Sequence, residues 1–154
     1  MKHLVLAGFL LLTIGLFSIS NAAPAASSPA EVTNALYKVA RKNFGFSVDS
    51  IKVEKPWLTP DLYSRMMKEA NKPVAKGDAP DIEGDVFLNS QEDIDSFKVG
   101  KETIDQGTAK VEVTVTVGGE GRKYLVLLKQ IEGAWKVSDV NYGGKDGSLT
   151  DLLK

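Results

Sequence analysis

The spacing of apolar residues changes once along the chain, from a helical period to a period of two, and that change predicts the fold. Val32, Ala35, Leu36, Val39 and Ala40 recur at i, i+3, i+4, i+7 and i+8, one stripe of an amphipathic helix. Its start is marked by Ser28 as cap, Pro29 at the first helical position and Glu31 to close a capping box, and its end by Asn43 and Gly45. A second helix is predicted from Thr59-Pro60-Asp61, with Leu62, Met66 and Ala70 on its buried face. Leu58 and Tyr63 are placed to staple its entry, and Asn71-Lys72-Pro73 stops it. Between the two, Val48, Ile51 and Val53 read as an irregular extended segment.

From Phe97 onward the pattern is that of strands. Phe97 to Asp105 is followed by a turn at Gly107. Val111, Val113, Val115 and Val117 then alternate with Glu112, Thr114 and Thr116 as a half-buried strand. Gly118 to Gly121 is a hairpin turn, with no helix start at which to hold an anion. Tyr124 to Leu128 is apolar on both faces, which predicts a central strand and is compatible with a homodimer. A Glu132-Gly133 turn leads into Ala134 to Val140, and Ser148 to Leu153 reads as a short capped turn. Three consecutive hairpins predict a four-stranded antiparallel meander. Helices followed by strands make this an α+β chain, its N-terminal helices packed on one face of a curved sheet.

The ends and the charge add location and exclusions. Residues 1–22 combine Lys2, an apolar run from Leu4 to Phe17 and small residues up to Ala22, the grammar of a secretory signal. The apolar run is shorter than a membrane span, so no stable membrane anchor is expected after cleavage. Residues 23–27 read as a flexible tether and 28–154 as a single domain. Of 19 basic and 20 acidic residues, only Lys2 lies in the leader, so the remainder is slightly acidic and does not suggest nucleic acid as a partner. The chain has no cysteine, and its one histidine, His3, lies in the leader. Ser–His and Cys–His nucleophilic catalysis, disulfides and the usual zinc and haem sites are thereby excluded, and no cofactor is expected.

Two segments stand out as candidate sites. Trp57, Tyr63, Trp135, Asp139 and Tyr142 are candidate pocket residues. Strict alternation places Asp139 on the face of Trp135 and Val137, where an unpaired carboxylate is costly; it is read as a general acid/base in the cone, or as capping a helix, bonding a neighbouring backbone group or sitting past a bulge near solvent. The polar stretch from Val74 to Ser96 carries Asp81, Glu83, Asp85, Gln91 and Glu92 as candidate partner-binding residues, with a helical turn predicted near Gln91 to Asp95. Asp81, Glu83, Asp85, Asn89 and Glu92 approach calcium-loop spacing. Val86 stands where such a loop needs glycine, so a solvated acidic loop and no metal are expected.

Two motifs carry a resemblance. Gly133-Ala134-Trp135-Lys136-Val137 with Asp139 and Val140 resembles the last strand of nuclear transport factor 2-like (cystatin-like roll) domains. Asp85, Phe87, Leu88 and Gln91 resemble a segment of an exported bacterial family with that fold, domain-of-unknown-function family 3828. The resemblance covers about residues 28–142. It implies a cone of curved sheet wrapped on helices, in the periplasm or outside a Gram-negative cell, and it implies no activity. The expected function is a non-enzymatic exported domain that binds a small ligand or a protein. The alternatives are an inhibitor or immunity-type protein acting on another secreted protein, and a small lyase or isomerase using Asp139 with Tyr63 or Tyr142.

Overall fold

The computed structural model describes residues 27–153. The expected leader and all of the tether but Ser27 lie outside the described residues. Among the described residues three helices precede the sheet: α1 (Pro29–Lys42), α2 (Val48–Glu54) and α3 (Pro60–Ala70), with a 3-10 turn, Lys55–Trp57, between the last two. The strands β1 (Ser96–Asp105), β2 (Thr108–Val117), β3 (Glu120–Ile131) and β4 (Ala134–Asn141) form one antiparallel sheet in the order β1-β2-β3-β4, and a single turn of helix, α4 (Leu149–Leu152), follows.

α1 starts as its sequence dictates. The Ser28 hydroxyl accepts from Glu31 N while the Glu31 carboxylate accepts from Ser28 N. A further backbone donor of its first turn, Ala30 N, is met from the sheet by Glu102 at 2.8 Å. Leu36, Tyr37 and Ala40 are fully buried in one core with Val111, Val113 and Val115 of β2, Val126 of β3, and Val137 and Val140 of β4. Burial of each leucine and valine here stabilises by about 1.5–3 kcal/mol. α1 therefore lies across the inner face of the sheet. Bulges in β1 (Val99 to Glu102) and β4 (Val137 to Asp139) bend the outer strands around it. β3 lies between β2 and β4, as its two apolar faces require.

Three expectations are corrected. Residues 48–54 are helical rather than extended: Ser47 caps Ser50 N, the Ser50 hydroxyl returns the bond to Ser47 N, and Ser50, Ile51 and Glu54 turn inward at helical spacing. No helical turn forms at 91–95, because Ser90 and Asp93 side chains take the N–H groups of Glu92 and Ile94, and Asp95 N pairs with Thr116 O. The chain turns earlier, at 86–89, closed by an Asp85–Ser90 bridge. Asp139 does not share the face of Val137: the pairing runs from Leu128↔Val137 to Leu127↔Asp139, so Ser138 is an extra residue and the alternation slips by one.

Candidate functional site

The acidic segment is a built turn with a charged rim. Phe87 and Leu88 are fully buried and Val86 nearly so, which roots three consecutive apolar residues in the core. Asp85, only 3% exposed, organises them: its Oδ1 accepts from Phe87 N and Leu88 N, both at 2.9 Å, and its Oδ2 from Gly45 N at 3.4 Å. Asp85 N donates to Ser90 O at 2.8 Å and Ser90 N to Asp85 O at 3.3 Å, closing the turn. The Tyr142 hydroxyl donates to Val86 O at 2.7 Å from the sheet side. Gly84 has φ +78°, and a Cβ there would stand 2.1 Å from Ser90 O, so no other residue allows that approach.

Outside this root the carboxylates face water. Asp78, Asp81, Glu83, Glu92, Asp93 and Asp95 are all exposed. The segment is held at its C-terminal end, by Arg41 donating to Ile94 O and Asp95 O and by Asp95 Oδ2 accepting from Gly119 N. Gln91 donates to Glu83 across the turn and Arg122 to Asn89 O, beside a cleft of about 480 Å3. Four of the five expected partner-binding residues are thus exposed, Glu83, Gln91 and Glu92 around this cleft and Asp81 on the other side of Ile82. Asp85 is the exception, spent on three backbone N–H groups inside the protein.

The expected pocket residues do not converge. Trp57 and Trp135 are half-buried and line one groove of about 250 Å3 with Pro56 and Lys136. Tyr63 is packed against the core, with the Lys55 ammonium 5.1 Å from its ring centre. Tyr142 belongs to the acidic turn. Asp139 accepts from Val140 N and Thr150 N through Oδ1 and from the Thr150 hydroxyl through Oδ2, so it clamps the start of α4.

Beneath the turn lies a polar cluster that sequence reasoning missed. Glu54 is 2% exposed, and its carboxyl is pushed up to about 9, first by burial and then by the nearby charge of Asp85. Burial raises Asp85 as well, opposed by the N–H groups it accepts. Tyr37 and Tyr124 place hydroxyls in the same core without a hydrogen-bond partner among the described residues, and burial drives the Tyr37 hydroxyl well above its ordinary range. Glu54, Tyr37 and Tyr124 have no neighbour in sequence that announces them. The signal that was available is the apolar run Val86–Leu88 set among acids, which marks an anchor inside a polar loop.

No protein-family model matches the sequence, and no curated protein matches it. Among solved structures, the chain is similar to the Tai3 chain of the type VI native effector–immunity complex Tae3–Tai3 from Ralstonia pickettii. The TM-score is 0.51 at 17% sequence identity, and the match covers 78% of this chain and 97% of that one. At that identity the likeness establishes a shared fold, helices packed on a four-stranded antiparallel sheet.

Proposed function

We propose that this is an exported, non-enzymatic binding protein of immunity type, which holds another secreted protein through the acidic segment 78–95. The observation that carries the reading is the construction of that segment. An ordinary solvated loop does not root three apolar residues, close on a buried aspartate and fasten its C-terminal end to α1 and the β2–β3 turn. Such pre-ordering lowers the entropy lost on binding, and the exposed carboxylates steer a cationic partner. The fold shared with Tai3, one partner of an effector–immunity complex, supports the same reading. Export rests on the leader-like residues 1–22, and membership of the nuclear transport factor 2-like class on the two motifs described above.

The test is co-expression with each secreted protein encoded beside this one, followed by capture and by growth rescue. The expected result is capture of one basic protein that salt weakens, and protection from its toxicity. Both should be lost in the triple variant Asp81→Asn/Glu83→Gln/Glu92→Gln. A complex that the triple variant holds with equal strength overturns the assignment to this segment.

A further inference from the structure

A second cleft lies on the other side of Ile82, between the end of α3 and the chain from Pro73 to Ile82, with a volume of about 280 Å3. That is just under the range of small-ligand pockets and suits a single inserted side chain. Its apolar walls include Phe46, Val74 and Ile82. Three carboxylates, Glu69, Asp78 and Asp81, face one ammonium, Lys72.

Glu69 makes this more than an acidic cluster. Its side chain is 3% exposed, yet it lines the cleft. Lys72 Nζ donates to its Oε1 at 2.7 Å, whereas its Oε2 has no hydrogen-bond partner among the described residues. Lys72 reaches Asp81 only at 3.6 Å, and both of those groups extend into solvent. A buried carboxylate oxygen left unbonded is costly. Glu69 lines the cleft together with two more acids and apolar walls, and a turn of its buried carboxylate toward the opening makes the cleft the complement of a planar cation on an aliphatic stem.

We infer that this cleft receives an arginine side chain of the partner, its guanidinium bonding Glu69 Oε2 together with Asp78 or Asp81 and its stem packing on Phe46 and Ile82. The inference rests on the proposed function for its partner but not for its test. The planar fork of arginine bonds two carboxylates at once, which a lysine ammonium does not match.

The protein is titrated, by NMR, with the peptides acetyl-Gly-Arg-Gly-amide, its lysine counterpart and its uncharged citrulline isostere. Saturable shifts are expected at the Ala75 and Ala79 methyls, with contacts from the arginine stem to the Phe46 ring. Arginine should bind more tightly than lysine, and citrulline at least about tenfold more weakly than arginine. Glu69→Gln should abolish the arginine preference, and so should the exposed pair Asp78→Asn/Asp81→Asn, which leaves the core untouched should Glu69→Gln impair folding. Asp61→Asn, on the same helix, should change nothing. Equal binding of arginine and citrulline, shifts spread over every acidic patch, or an unchanged preference in both variants overturns the inference. An effector captured equally by wild type and Glu69→Gln refutes the cleft as part of that interface. Peptide binding without any effector captured refutes the immunity reading alone.

Discussion

Gly84→Ala isolates the construction of the acidic turn. Its first cost is conformational: at φ +78° an alanine loses about 1–2 kcal/mol. Its second is contact, because the new methyl would lie 2.1 Å from Ser90 O and 2.7 Å from Gln91 Cα, both backbone atoms that cannot swing aside. Relief requires that the two strands of the turn part. That breaks the paired Asp85–Ser90 hydrogen bonds, worth about 1 kcal/mol each. The sum is about 3–4 kcal/mol. Gly77→Ala is the control, since Gly77 has φ +99° but nothing within 4 Å of the added methyl, so only the first cost applies. Urea unfolding of both variants should therefore place Gly84→Ala about 2 kcal/mol below Gly77→Ala, a midpoint difference of roughly 1 M. Two variants that unfold within about 0.5 kcal/mol of each other would refute the reasoning, because the turn would then be free to open without loss.

The buried carboxyls set a pH dependence. Glu54 moves from 4.5 in the unfolded chain to about 9 in the fold, so the folded state holds its proton more tightly. Its contribution is complete below pH 4.5 and is lost as the pH climbs toward 9, at up to about 1.4 kcal/mol per pH unit, and Asp85 acts in the same direction. Urea midpoints should fall between pH 5 and 8.5, and Glu54→Gln should flatten the fall; an unchanged slope in that variant would contradict the assignment. Asp139→Ala removes three accepted hydrogen bonds and should cost about 1–2 kcal/mol. Amide exchange should quicken at residues 149–152 while the amides of 85–90 stay protected, and a uniform rise over the whole chain would argue against a local clamp.

What the sequence made legible follows from the range of each interaction. α1, α3 and the four strands were readable because their determinants are local: an apolar period, a capping serine or threonine, a glycine at a turn. α2 was not, since seven residues with a solvent-facing Val53 give too short a stripe to outweigh an extended reading. The exposed acids of the candidate site were visible as a run of charge. That Asp85 turns inward was not, because one of its donors, Gly45 N, stands forty positions away in sequence. The orphaned oxygen of Glu69 was hidden for the same reason, as the cleft around it forms only when the chain from Pro73 to Ile82 returns over α3.

The two bulges also bear on which changes of length the sheet tolerates. β2 and β3 pair residue for residue without a break from Thr108↔Lys129 to Val117↔Glu120, so a residue lost or gained there inverts every side chain beyond it. The flanking strands each carry one residue more than their partner counts, at Gly100-Lys101 opposite Glu112 and at Ser138 between Val137 and Asp139. Deleting Ser138 would keep Val137 opposite Leu128 and Val140 opposite Val126, with both valines still facing the core. The centre of the sheet is written in a strict reading frame, while each border holds one spare letter that can be dropped without changing the meaning of the line.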